Sequence, residues 1–283
     1  MISKATNDDS PVVSPPELAP PACRNCAEPL GNADRFCRHC GQKTAWRRQT
    51  VRSALGNAAA QAVNFDKGLG LNLLMLFKDP GRLARDLVSG RTQPYLNVFR
   101  MVLIVTAVIV FLQVSTGVYE TQQGAISDAL YEAEAAARQR ALQRRIKEYL
   151  SLIFLALIPF LALANYWLTR RRGFNYAEHL TVASLQTTGA MLLSTPVQLC
   201  LFYADWVSMS TSWSIMLVSF AYYAYVLRST FALSWLAAGW RAVLSYVIAM
   251  SLFILLVSVV VAGFMFTYAA IYGGEALKAF LGQ

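Results

Sequence analysis

Four cysteines near the start of the chain are the residues whose types and spacing most clearly predict chemistry. They form two Cys-x-x-Cys pairs, Cys23 with Cys26 and Cys37 with Cys40, separated by ten residues. Each pair can direct two thiolates to one metal ion, and two pairs complete a tetrahedral four-thiolate site. This donor set is typical of structural zinc and leaves no open position for water or substrate. We therefore predict a compact zinc ribbon over residues 23–43.

Glu178 and His179 are the second candidate for chemistry, since they stand together at the start of an apolar stretch. A carboxylate beside an imidazole could transfer protons or help to hold a metal ion. The structural interpretation is a helix start, because Asn175 three residues before Glu178 is a capping-box pattern. No further ligand or nucleophile lies nearby in the sequence, which favours the structural interpretation, and we assign no catalytic residue.

Arg91, Tyr95 and Arg100 form a basic and aromatic entry into the first long apolar stretch. Arginine and tyrosine at such a place are typical anchors at a membrane interface. A lipid-phosphate site is the alternative, since an arginine fork can bind phosphate through two bonds. With Glu178 and His179, these residues make up a candidate polar or lipid-facing site.

The elements that must position these residues belong to a membrane protein. The chain is 56% hydrophobic and 14% charged, whereas soluble domains carry about 25% charged residues. We predict an all-α integral membrane protein with a helical bundle over residues 98–283. A spanning helix needs about 20 apolar residues, and five segments qualify: 98–118, 149–168, 180–202, 212–229 and 242–272. Cys200 lies in an apolar run and is expected to be buried.

Three other regions complete the predicted organisation. Residues 1–22 are polar and rich in proline, so a disordered tail is expected. Residues 44–97 are expected to be a basic linker that carries interfacial helices, with a weak helix over 51–64 and an apolar segment over 69–77 too short to span. A protruding helix is expected near 120–148, and no helix breaker interrupts a continuous helix over 127–168.

The linker should contain one helix with clear start and stop signals. Asp79 is a good N-cap, Pro80 suits the first helical position, and Gly90 stands where a C-terminal glycine belongs. Its apolar and basic faces are compatible with a position in the plane of the lipid head groups.

Two arguments place the N-terminus in the cytoplasm. A four-thiolate site requires reduced cysteines, whereas oxidising compartments favour disulfides. Basic residues also border the first span and follow the second, at Arg170–Arg172, as the positive-inside rule predicts. Five spans then place the C-terminus outside. Five Lys or Arg residues over 118–148 oppose this orientation weakly.

Three short motifs follow the second knuckle, Phe36 to Gln42, in a distinctive order: Asp79-Pro80-Gly81, then the stretch from Gly90 to Tyr95, then the stretch from Phe174 to Leu180. In this order the chain, from about residue 23 to its end, resembles domain-of-unknown-function family 3667, multi-pass bacterial membrane proteins with an N-terminal zinc ribbon. The resemblance implies a bacterial inner-membrane location and a cytoplasmic ribbon. It implies no activity.

The function we expect is a membrane-embedded scaffold or adaptor whose zinc ribbon docks a cytoplasmic protein. The lipid bilayer and anionic head groups are the other expected partners, and the sequence leaves self-association open. The first alternative is a transporter or lipid-handling protein with a polar site around Glu178 and His179. The second is nucleic-acid binding by the ribbon, since Arg35, Arg38, Lys43, Arg47 and Arg48 cluster there.

Overall fold

The structure is a computed structural model that describes residues 22–31, 33–45, 48–51 and 68–272. The chain divides into two compact units, Met1–Trp46 and Arg47–Gln283. The tail expected over 1–22, apart from Ala22, and the weak helix expected over 51–64, apart from Val51, lie outside the described residues.

Nine α-helices lie within the described part of the second unit. They are α1 (Leu69–Lys78), α2 (Pro80–Val88), α3 (Val98–Ser115), α4 (Val118–Leu130), α5 (Ala133–Ile146), α6 (Leu150–Thr169), α7 (Tyr176–Tyr203), α8 (Met209–Phe231) and α9 (Trp235–Tyr272). Short 3₁₀ turns, Lys147–Tyr149 and Arg170–Arg172, flank α6. The predicted combination of an all-helical chain and an N-terminal four-cysteine cluster is confirmed.

The start and stop signals of α2 are confirmed. The Asp79 carboxylate accepts a hydrogen bond from the Arg82 amide at 2.8 Å, and Pro80 occupies the first helical position. Gly90, two residues after the helix, has a φ of 90°. Gly81 has a separate role, because a Cβ there would overlap the carbonyl group of Ser229 near the end of α8.

The region expected to be a linker is packed on the bundle from residue 68 onwards. Leu76 of α1, together with Leu83 and Leu87 of α2, is buried in the hydrophobic cluster that also contains α3 and α6–α9. Tyr222 and Tyr225 of α8 donate hydrogen bonds to the carbonyls of Leu76 and Lys78. The apolar face of such a short helix does not reveal its partner, which is why the sequence suggested a separate segment.

The region near 120–148, which was predicted to be one protruding helix, is a helical hairpin of α4 and α5. The predicted continuous helix over 127–168 is wrong at its start, because the chain turns at Tyr131 and Glu132. The uninterrupted helical run is Ala133–Arg172. Ion pairs join the two arms, from Arg140 to Asp128 and from Lys147 to Glu120.

Three helical stretches are long and apolar enough to cross a membrane: Val98–Ser115, Ala133–Arg172 and Trp235–Tyr268. Helices α7 and α8 coincide with the other two predicted spans but are less apolar. Every residue of α7 over 177–190 is buried, and α7 packs against α2, α3, α6 and α8. A helix enclosed by other helices can carry polar residues, which explains its lower hydropathy.

Cys200 differs from the prediction, since its side chain is exposed on α7. An apolar run does not show which of its residues face the neighbouring helices.

The long bundle helices define two ends. We call the proximal end the one where α3, α7 and α9 begin and α6 and α8 end, and the distal end the opposite one.

Candidate metal centre and polar clusters of the bundle

The four cysteine sulfurs of the ribbon converge on one point. All four lie within 4.8 Å of one another, and the Sγ atoms of Cys23 and Cys40, like those of Cys26 and Cys37, are 3.6 Å apart. A tetrahedral ion with bonds of about 2.3 Å to sulfur requires sulfurs about 3.8 Å apart. The thiols are free of disulfides, and their arrangement fits one metal ion.

Two equivalent knuckles bring the sulfurs together. In the first knuckle, the Cys23 amide donates to the backbone carbonyl of Glu28, and the Ala27 amide donates to that of Cys23. In the second, the Cys37 amide donates to the backbone carbonyl of Gln42, and the Gly41 amide donates to that of Cys37. Each knuckle turns through one left-handed residue, Ala27 with φ 62° and Gly41 with φ 72°. Glycine adopts this conformation readily, so Gly41 suits its position, whereas Ala27 gives no such signal in the sequence.

The ribbon has almost no core apart from its cysteines. Cys23, Cys37 and Leu30 are its buried apolar residues within the described range, and Cys26 and Cys40 pack against them. Four neighbouring thiolates repel one another, so all four can ionise together only around a cation. Metal binding and folding of this unit should therefore be one event. His39 between the last two ligands is exposed and is not part of the cluster.

Glu178 is held by an arginine that sequence analysis had assigned to the ribbon surface. Arg48 donates from Nε and Nη2 to the two carboxylate oxygens, at 2.7 and 2.8 Å, and also binds the Gly173 carbonyl. The Glu178 side chain is 3% exposed, whereas that of Arg48 is 54% exposed. The capping box is confirmed in both directions, because Asn175 and Glu178 exchange hydrogen bonds.

The residue after Arg48 extends this attachment along the bundle. The Gln49 side chain donates a hydrogen bond to the Leu87 carbonyl of α2 and accepts one from the Thr181 hydroxyl of α7. The backbone carbonyl of Gln49 accepts a hydrogen bond from the side-chain amide of Asn175. We call residues 48–51 the anchor segment. No sequence signal identified it, because its partners are 38 to 132 residues away.

The electrostatics of Glu178 follow from this pairing. Burial alone would raise the pKa of the Glu178 carboxyl, but hydrogen bonds from Arg48 and the Asn175 amide, with the charge of Arg48, hold it below its ordinary value. A carboxylate that accepts all of these bonds is ionised at neutral pH and is poorly suited to proton transfer.

His179 is fully buried, 0% exposed, among aromatic rings. Its ring stacks on Phe231 and meets Tyr166 and Phe174 edge to face. Its Nδ1 lies 2.8 Å from the Asn175 carbonyl and its Nε2 lies 2.8 Å from the Thr169 hydroxyl. Burial lowers the pKa of His179, against the opposing effects of Asn175 and Glu178. The neutral ring therefore acts as a staple between the end of α6, the start of α7 and the end of α8.

Arg91 and Tyr95 belong to a different cluster, centred on Asp86 of α2. Arg91 binds one Asp86 oxygen at 3.3 Å, and the Tyr95 hydroxyl donates to the other at 2.9 Å. Asp86 thus joins Arg91 and Tyr95 in one cluster. Arg100 is buried near the start of α3. Among the five residues proposed as one polar site, Glu178 adjoins His179, and Arg91 and Tyr95 share Asp86.

Comparisons with known proteins found no match to this chain among family models, curated proteins or solved structures.

Proposed function

We propose that this chain is a scaffold or adaptor of the bacterial inner membrane. Its ribbon binds zinc structurally and docks a cytoplasmic protein partner. The observation that carries the proposal is the closed set of four converging thiols, which gives the ribbon shape and rigidity and leaves no coordination position for a reaction. The anchor segment supports it further, because the bundle holds the chain at Arg48, eight residues after Cys40.

The five predicted spans, carried by α3 and α6–α9, are part of this proposal, and the span carried by α7 begins after His179. Exposed aromatic residues at the two ends support it: Trp167, Trp235 and Trp240 are proximal, and Tyr149, Tyr203, Trp206 and Trp213 are distal. Such residues favour the two membrane interfaces. Along the helix of α6, the 18 residues from Tyr149 to Trp167 rise about 27 Å, close to the roughly 30 Å of a hydrocarbon core.

The charge of the two ends favours a cytoplasmic proximal end. Among the described residues of the second unit, eleven Lys or Arg and three Asp or Glu lie at the proximal end, against five and six at the distal end and hairpin. The proximal end thus carries about twice as many Lys or Arg residues as the distal end, where the five that opposed this orientation lie. An odd number of spans leaves the C-terminus outside.

The ribbon offers a surface for a protein partner. Phe36 is its most exposed large apolar residue in the described range, at 55%. An open cleft of about 440 Å³ also forms on the ribbon, and it is lined by Glu28, Pro29, Gly31, Asp34, Arg38 and His39. A surface with an exposed aromatic ring and charges of both signs is better suited to a protein partner than to a uniformly charged partner.

Charge counts against the nucleic-acid alternative. The described ribbon residues include four Lys or Arg and two Asp or Glu, a net charge of +2. A zinc ion with four thiolates carries −2, so the metal-bound ribbon is neutral apart from His39. Arg48 is committed to Glu178, and Arg47 lies outside the described residues.

The transporter alternative has one supporting observation. The Asn165 side-chain oxygen and the Ser184 hydroxyl are buried in the bundle without a partner among the described residues. Glu178 and His179, the residues expected to serve such a pathway, are instead fully engaged in the contacts of the anchor segment and the staple. The adaptor proposal is therefore preferred.

The test uses the full chain in its own membrane with three variants. In the first, all four ribbon cysteines are replaced by serine. In the matched control, Cys200→Ser removes the one cysteine outside the cluster. In the third, Phe36→Ala alters the exposed surface and leaves the ligands in place. Zinc per chain, membrane insertion and cross-linked partners are measured for each.

We expect one zinc per chain in the wild type, Cys200→Ser and Phe36→Ala, and none in the four-serine variant. A specific partner should be lost from the four-serine variant and weakened by Phe36→Ala, with insertion unchanged. An identical partner set in the wild type and the four-serine variant would remove the case for docking through the ribbon.

A further inference from the structure

The outer face of α1 is an apolar surface at the proximal end of the bundle. Leu71, Leu74 and Phe77 recur at a spacing of three residues and are all exposed, with Leu74 at 59%. The opposite face carries Asn72 and Leu76, which are fully buried. An amphipathic helix whose polar contacts point inward and whose apolar residues point outward needs an apolar environment around it.

Hydrogen bonds fix where α1 lies. Near its start, Asn72 donates to and accepts from the backbone of Leu96, at 2.8 and 3.2 Å, just before α3 begins. At its end, the Tyr222 and Tyr225 hydroxyls bind the Leu76 and Lys78 carbonyls. Both ends of α1 are thus tied to the proximal part of the bundle, one beside the start of α3 and the other in the proximal half of α8.

The last turn of α1 adjoins interfacial residues. The Tyr225 ring stacks on Trp235, with centroids 6.5 Å apart, and the Arg228 guanidinium lies 4.6 Å from the centre of the Trp235 ring. Lys78 and Arg228 are both exposed. Cations beside an aromatic pair are typical of the depth in a membrane at which the lipid phosphates lie. At that depth, the apolar stripe of α1 faces the adjoining acyl chains.

We infer that α1 is a half-inserted helix whose outer face, Leu71, Leu74 and Phe77, docks into the cytoplasmic leaflet, with Lys78 and Arg228 at its anionic head groups. The inference rests on the membrane location in the proposed function. It adds a contact with lipid beyond the spanning helices.

The experiment introduces a photoreactive benzophenone side chain at one exposed leucine at a time, in the full-length protein in native membranes. Leu74 is the test position. Leu255, exposed on α9, reports contact with lipid in a spanning helix, and Leu142, exposed on the α4–α5 hairpin, reports an aqueous position. Adducts are identified by mass spectrometry after irradiation.

We expect phospholipid adducts at Leu74 and Leu255 and none at Leu142. Lipid adducts at Leu255 but none at Leu74, or an adduct of Leu74 with a protein or a second copy of the chain, would overturn the inference and leave the membrane location standing. No lipid adduct at Leu255 would instead refute the membrane location itself.

A second measurement tests the head-group contact. Adducts at Leu74 are compared in nanodiscs of mixed anionic and zwitterionic lipid, with and without Lys78→Gln. The share of anionic lipid should fall about fivefold when the cation is removed. An unchanged share at Leu74, with the same lipid composition at Leu255, would show that α1 docks without charge selection and would refute that part of the inference.

Discussion

Arg48 binds both carboxylate oxygens of Glu178, a residue 130 positions further along the chain. The pair attaches the first described residue of the second unit to the first turn of α7, N-terminal to the predicted span over 180–202. Because the same carboxylate completes the capping box with Asn175, a motif that looks purely local also holds a distant segment. Arg48 is therefore fixed to the start of α7.

The two ends of this ion pair should respond differently to substitution. Glu178→Gln keeps a side chain that can complete the capping box and leaves Arg48, which is half exposed, to water. Arg48→Gln leaves a buried carboxylate without its partner and should lower the unfolding temperature in detergent more. The double variant should be less destabilised than the two single effects combined. Strictly additive effects would show that the pair does not couple the two segments.

Acid should destabilise the bundle through two groups whose contributions begin to be lost at different pH values. Because the pKa of His179 is lowered in the folded state, His179 is protonated in the unfolded chain at a higher pH than in the folded protein. The folding stability should therefore begin to fall as the pH drops below about 6.5. The pKa of Glu178 is also lowered, so its contribution is complete above about 4.5 and is lost as pH falls through the folded-state value.

Unfolding temperatures measured against pH should separate these groups. His179→Gln should remove the decline that begins at the higher pH and Glu178→Gln the one that begins at the lower pH. A profile in which His179→Gln leaves the decline below pH 6.5 intact would contradict the assignment to His179.

Substitutions at the left-handed residue of each knuckle should change zinc affinity in opposite directions. Ala27→Gly relieves a positive φ at a non-glycine residue, whereas Gly41→Ala introduces one. The cost is about 1–2 kcal/mol, which corresponds to roughly a tenfold change in metal affinity because folding and binding are coupled. Competition with a chelator should show tighter zinc binding for Ala27→Gly and weaker binding for Gly41→Ala. Equal affinities would refute the coupling.

Gly81 should tolerate no side chain. A Cβ there would overlap the Ser229 carbonyl, so Gly81→Ala should cost about 1–3 kcal/mol through displacement of α2 from α8. Gly124 of α4 is a matched control with open space around it, and Gly124→Ala should be neutral or stabilise by up to about 1 kcal/mol. Reversible unfolding in detergent compares them, and equal stability of the two variants would contradict the close approach of α2.

Fusion reporters should place the two termini on opposite sides of the membrane. A reporter active only outside the cytoplasm should be silent at the N-terminus and active after Gln283. Replacing Arg170, Arg171 and Arg172 by glutamine should produce a mixed population, because these residues supply three of the eleven proximal Lys or Arg residues. Termini on the same side would refute an odd number of spans.

Local signals were the most predictable part of this chain. The N-cap Asp79, the left-handed Gly41 and Gly90, and the capping box at Asn175 all follow from residues within one turn of one another. The convergence of the four cysteines is equally local, since two short knuckles suffice to make it. The break before α5 was missed because neither Tyr131 nor Glu132 is a helix breaker, and pairing of the hairpin arms decides the turn there.

The sequence by itself determined an all-helical chain, its apolar stretches and the thiol set that can hold a metal, because these depend on composition and short spacing. Only the tertiary structure decided that Arg48 pairs with Glu178 and that α7 is enclosed by its neighbours. It also decided that Asp86 binds both Arg91 and Tyr95. These relationships join residues on different helices, and an apolar or charged position does not specify which distant residue will share its environment.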